Sequence, residues 1–226
     1  MLTPTPVAEL PRLRYPHPLA PHAERSQPEA FLPASVTMNF GRNAEIFAEG
    51  ERAGYVHKLV SGVVRVSKLL PDGRRQISAF HLPGDMFGFE IDDIHHASAE
   101  AIVPVKVVAF KWQSLLSATA PSGFVHELLN RTMIDLRQTQ DHLLLLGRKN
   151  ALERLAAFLL EMARRVGAES VLDLAMPRHD IADYLGLTLE TVSRMFAELK
   201  EMGMIRLESA RRVHLIDMAR LKAMAA

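Results

Sequence analysis

The sequence contains no cysteine. That excludes disulfides, thiolate-held iron–sulfur clusters and thiol redox switches within the chain. No apolar run approaches the roughly 20 residues of a membrane-spanning helix, so no membrane partner is expected. Charge of one sign is not in excess either. The formal net charge is +1 over 226 residues, so nothing global draws the chain to nucleic acid or to an anionic lipid surface. Any basic patch has to be local. The N-terminus lacks the charged-then-apolar order of a signal peptide, and the expected location is the cytoplasm. Apolar mass, by contrast, is plentiful. Hydrophobic residues make up 48% of the chain, enough for the core of one large domain or two small ones.

Proline is concentrated at one end. Residues 1–35 hold eight of the thirteen prolines. Proline this dense blocks both helix and sheet, so this segment is expected to be an extended, flexible arm.

Residues 36–120 have a different texture. Short β-branched runs such as Val63-Val64-Arg65-Val66 are cut by Ser61-Gly62, Pro71-Asp72-Gly73 and Pro83-Gly84-Asp85. Glycine supplies positive φ, proline presets φ, and aspartate bonds its own backbone. Short strands at this spacing imply a sandwich or roll. "AIVPVKVVAFKW" looks like a closing strand, with Pro104 tolerable only at a bulge or edge.

After Pro121 the period becomes helical. Leu129, Met133, Leu136, Gln140 and Leu143 follow one another at spacings of 4, 3, 4 and 3. That is a heptad seam with one polar member. Over 121–147 it predicts a long helix that dimerises with its copy, with Gln140 fixing the register. An ordinary helix packed on the roll would show much of the same pattern. Gly147, followed by Arg148-Lys149-Asn150, marks a hinge.

Residues 148–226 predict three helices and a hairpin. Ile181, Ala182 and Leu185 give one helix an apolar face, and Gly186 permits a sharp turn. Thr188 is placed to cap the next helix, without a capping-box Glu three residues on. Val192, Phe196 and Leu199 then face inward. Leu189, Glu190, Ser193 and Arg194 remain on the outer N-terminal part, which in a helix-turn-helix enters the major groove. Arg194 can donate twice to guanine, Glu190 can accept from cytosine N4, and Ser193 can bond or press on a thymine methyl. An exposed i, i+4 salt pair would explain Glu190 and Arg194 by themselves. Thr188, Arg178 at the start of the preceding helix, and Arg211 and Arg212 in the wing complete the candidate DNA contacts, the wing pair through phosphates.

"RHDIADYLGLTLETVSRMFAELKEMGMIRL" resembles the DNA-binding signature of the Crp/Fnr transcription regulators. The likeness extends over most of the chain after the proline arm. It implies an α+β architecture: an N-terminal jelly-roll of the cyclic-nucleotide-binding type, a long dimerisation helix and a C-terminal winged helix-turn-helix. Glu-Thr-Val-Ser-Arg is similar to the Fnr and FixK branch, which implies a TTGA-type palindrome. The catabolite activator branch would carry Arg in place of Leu189. "LPGDMFGFE" also fits the family's roll, but the Arg-Ser pair that holds a cyclic phosphate does not follow it. His95, His96 and Ser98 stand in that stretch, and a lone serine cannot balance a buried phosphate. DNA binding without cyclic nucleotide is therefore expected, and no residue is assigned to a cofactor. The cysteine cluster of Fnr proper is absent. The resemblance implies a homodimeric activator working with RNA polymerase, in low-oxygen or nitrogen-fixation programmes.

Other readings stay open. Glu90, Asp92, Asp93, His95 and His96 include metal-ligand types, which a polar loop explains equally well. His57 and His81 lie near strands, where a haem or another small ligand would make the regulator ligand-dependent. A cupin-like metal enzyme with an appended interaction domain is the alternative from another class.

Overall fold

The computed structural model describes residues 35–112 and 122–225. The expected proline-rich arm therefore falls outside the described residues, apart from Ser35, which already opens a strand.

The roll is built from eight strands: β1 (Ser35–Phe40), β2 (Glu45–Phe47), β3 (Tyr55–Ser61), β4 (Val64–Leu69), β5 (Arg75–His81), β6 (Met86–Phe87), β7 (Ser98–Ala101) and β8 (Val105–Lys111). They form two antiparallel four-stranded sheets, ordered β1-β8-β3-β6 and β2-β7-β4-β5. In β8, whose first residues alternate buried and exposed, period two aims one side at the other sheet. Val105 and Val107 of β8 thus meet Val64 of β4 and Ala99 of β7 in one buried cluster. The turn at Gly62 needs glycine on two counts. Its φ is +91°, and a Cβ there would sit 2.4 Å from the Pro104 carbonyl oxygen. Pro104 itself lies between β7 and β8 rather than inside one closing strand. The expected bulge is instead a break, because proline has no N–H for a ladder.

Helix α1 (Ser122–Arg148) follows. It runs through Gly147, so the hinge expected there is displaced. One glycine costs a helix only about 1 kcal/mol against alanine. The break comes where the next helix is capped. Asn150 Oδ1 accepts from the backbone N–H groups of Leu152 and Glu153, and the Glu153 carboxylate accepts from the Asn150 N–H. This capping box starts α2 (Ala151–Val166), and Asn150-x-x-Glu153 is its legible signal. Arg154 then ties the junction together. Its guanidinium donates at 2.9 Å to the carbonyls of Lys149, Leu185 and Leu146, satisfying carbonyls that helix ends leave unpaired.

The rest comprises β9 (Val171–Asp173), α3 (Arg178–Leu185), α4 (Leu189–Glu201), the hairpin β10 (Ile205–Leu207) and β11 (Arg212–Leu215), and α5 (Met218–Ala225). Two of these go beyond the three helices and hairpin expected. β9 is too short for a readable period, yet it pairs with β11 to make a three-stranded sheet. α5 buries one large side chain, Leu221. The α2 face, with Leu155, Phe158, Leu159 and Met162, shares a single apolar cluster with Ile181 and Leu185 of α3 and with Ile77, Phe80 and Leu82 of the roll. The two domains are therefore packed together through a continuous core, which restrains their relative motion.

Candidate nucleic-acid interface

The turn between α3 and α4 follows from local chemistry. Gly186 takes φ +62°, and its N–H donates to the Ala182 carbonyl, closing α3. A side chain at that φ would be strained. Thr188 Oγ1 accepts from the Thr191 N–H at 3.1 Å, capping α4. The Thr191 hydroxyl, where a capping box would have Glu, lies 2.9 Å from the Thr188 hydroxyl. Inward, Val192, Phe196 and Leu199 are buried. Leu189, Glu190, Ser193 and Arg194 are exposed together on the outer side of the first two turns.

Glu190 and Arg194 form a loose pair, Nε to Oε1 4.0 Å, with side chains 80% and 66% exposed. Such a pair contributes a few tenths of a kcal/mol. It leaves both side chains free to turn toward a base edge. Ser193 Oγ donates to the Leu189 carbonyl at 2.8 Å, which keeps its oxygen available as an acceptor.

The arginines expected to help differ sharply from one another. Arg178 does not share the outer face of α4. Its guanidinium lies over the Phe196 ring, 3.0 Å from the centroid, and Nη1 is buried without a hydrogen-bond partner among the described residues. Burial brings its pKa down to about 10, so it stays charged at neutral pH. Arg212 is held by Asp173 through two bonds of 2.8 Å, with Glu208 at 3.6 Å. Arg211 makes no ion pair among the described residues, and its backbone N–H is anchored on Ser209 Oγ. Among the described residues the wing arginines without an ion pair are Arg211 and Arg206, whose Nη2 lies 3.2 Å from His214 Nδ1.

In the roll, the stretch that lacks a phosphate-holding Arg is occupied differently. His95 is buried and stacked on Phe47, centroids 3.7 Å apart and nearly parallel, with Glu90 3.4 Å from its Nδ1. His96 points out to Asp92. Ser98 Oγ accepts from the Glu49 N–H. His57 and His81 both stack on Phe87. Desolvation lowers each to about 4, so both are neutral at physiological pH. Among the described residues no group of three or more His, Asp or Glu is placed to hold a metal; His95 pairs with Glu90 and His96 with Asp92 instead. No described helix is long and apolar enough to cross a membrane.

Comparison with known proteins follows this division of the chain. Residues 37–120 match the Cyclic nucleotide-binding domain and residues 153–224 the Crp-like helix-turn-helix domain. The nitrogen fixation regulation protein FixK of Azorhizobium caulinodans is 43% identical over 235 residues, covering 96% of this chain and 94% of that protein. The chain belongs to the Crp/Fnr family. Among its FixK-type relatives, FixK of Rhizobium meliloti is 41% identical over 180 residues, 80% of this chain and 82% of that one. The solved structure of FixK2 from Bradyrhizobium japonicum superposes with a TM-score of 0.80 at 45% identity, covering 85% of this chain and 98% of its own. As a Crp/Fnr protein of FixK type, the chain is a DNA-binding transcription regulator and not an enzyme, which removes the cupin-like alternative.

The wing makes a first prediction. Arg211→Ala is expected to weaken binding to every DNA sequence alike. It should make log affinity against log salt shallower, by about 0.9 in slope for each phosphate that is no longer neutralised. Titrations of one site at several salt concentrations measure the slope. An unchanged slope would remove Arg211 from the interface.

Proposed function

We propose that this Crp/Fnr regulator binds as a homodimer to a palindrome of TTGA-type half-sites, without cyclic nucleotide, and activates transcription with RNA polymerase. α4 of each subunit enters the major groove. Leu189, Glu190, Ser193 and Arg194 face the bases, and Thr188 caps the helix end that enters first. Arg211 touches phosphate, and Arg178, whose Nη1 has no partner among the described residues, turns from Phe196 to a second phosphate. Arg212, already neutralised by Asp173, adds least. The dimer seam runs along α1 through Leu129, Met133, Leu136, Gln140 and Leu143. The names of the FixK relatives point to genes of nitrogen fixation as targets.

One observation carries this reading: four side chains able to contact base edges stand exposed on a helix whose opposite face is buried. Selection of bound sequences from random DNA, with purified protein and no additive, tests it. A two-fold symmetric TTGA consensus is the expected product. Recovery of no consensus would sink the proposal.

The ligand claim has its own check. Cyclic AMP titrated into a DNA-binding assay is expected to change affinity less than twofold. A gain of about tenfold, or 1.4 kcal/mol of coupling, would mean that the roll holds the nucleotide despite His95, His96 and Ser98.

A further inference from the structure

Four charged side chains bridge the roll and the reading unit. Asp180, in the first turn of α3, is fully buried. It accepts from Arg65 Nη1 at 2.9 Å and Arg75 Nη2 at 2.5 Å. His179 Nε2 lies 3.1 Å from the same carboxylate. One turn on, Asp183 accepts from Arg75 Nε and Nη2 at 2.8 and 2.6 Å. Arg65 is in turn oriented by Glu100 of β7, Nε to Oε2 3.0 Å. Both carboxylates come from α3 and both guanidinia from β4 and β5. Beneath them the Tyr184 ring packs on Phe80 of β5, centroids 5.0 Å apart.

A buried carboxylate that loses its partners leaves an uncompensated charge, so such a contact favours one docking geometry and penalises others. α3 packs directly on α4 through the turn at Gly186, so whatever aims α3 also aims the reading helix. With all these bonds made, Leu189, Glu190, Ser193 and Arg194 remain exposed. The contact therefore holds the reading face open instead of covering it.

We propose that Arg65 and Arg75 are positioning residues for DNA reading. From the roll, they lock α3 through Asp180 and Asp183, and so set the spacing of the two reading helices without a bound ligand. This rests on the dimeric, palindrome-binding reading above. A positioning role has a signature that a general folding role lacks. Two reading units must match a fixed separation only on a palindrome, because one unit on one half-site can adjust freely.

The test uses the full chain and three kinds of duplex: the selected palindrome, the same palindrome with its half-sites moved by whole base pairs, and a single half-site. Asp183→Asn removes a partly exposed charge and leaves Asp180 paired. Arg75→Lys keeps the charge but loses the fork that spans both carboxylates. Asp72→Asn, in an ion pair of the same hairpin that does not involve α3, is the control. For Asp183→Asn and Arg75→Lys, affinity for the palindrome is expected to fall about tenfold and the preference for one spacing to flatten. Half-site affinity should stay within about twofold of the parent, and Asp72→Asn should behave like the parent. Unchanged palindrome binding and spacing preference in both variants would overturn the proposal. So would tighter palindrome binding, which would make the contact a restraint, or an equal loss on the half-site, which would make it a folding contact. If the parent itself shows no preference for a palindrome, the dimeric reading fails, and that result is distinct from all of these.

Discussion

Replacing Arg194 with alanine is expected to erase discrimination at one G·C pair in each half-site. Arg194 stands exposed on the outer face of α4, and among the described residues its ion-pair contact is a loose one of 4.0 Å to Glu190. Its guanidinium is therefore free to place two donors on guanine O6 and N7, while Glu190 accepts from the cytosine N4 of the same pair. A bidentate contact of this kind discriminates by roughly 1–3 kcal/mol. Two half-sites double that to roughly 2–6 kcal/mol, so the loss on a palindrome is about thirtyfold at the lower end of the range and larger above it. The measurement compares parent and variant on a TTGA-type palindrome and on the same site with the G·C pair replaced. Because Glu190 would then face DNA without its cation, the variant should also bind all sequences somewhat less well. A variant that still discriminates as well as its parent would show that another element reads the base pair.

An effect as large is expected from Leu136→Glu, at the centre of the α1 seam. In the single chain Leu129, Met133, Leu136 and Leu143 are 59%, 58%, 50% and 65% exposed. The proposed dimer would cover this apolar stripe, which points away from the core of its own chain. Burying each such side chain contributes roughly 1.5–3 kcal/mol. A carboxylate placed among them would be buried without a partner, at a cost large enough to abolish association. Sedimentation should report monomers, and palindrome binding should collapse to half-site strength. Thermal unfolding of the separated chain should hardly change, because position 136 is exposed there. Persistence of the dimer would move the interface off this seam.

The turn, the cap and the exposed face of α4 are legible in the sequence because their determinants are local. Gly186, the capping Thr188 and the spacing of Val192, Phe196 and Leu199 lie within fourteen residues. Each acts through turn geometry or helical period. The turns of the roll at Gly62, Gly73 and Gly84 are legible for the same reason, and each takes the positive φ that its glycine suggests. The exposed seam of α1 also follows from period alone. The end of that helix does not fall at the expected glycine, because Gly147 weighs less than the capping box that follows it.

Other features depend on partners far away in the chain. Nothing near Arg178 foretells that its guanidinium settles on Phe196, and nothing near Arg212 foretells Asp173, 39 residues earlier. Arg65 and Asp180 are 115 positions apart and Arg75 and Asp183 are 108. A charge pair across such a separation leaves no period, no turn residue and no composition shift. By itself the sequence determined the helix-turn-helix and which face of α4 stays exposed, since steric and capping rules act over a few residues. Only the tertiary structure decided which arginines of this domain are buried or paired and how α3 is held against the roll, since burial and pairing exist only once distant segments share a core.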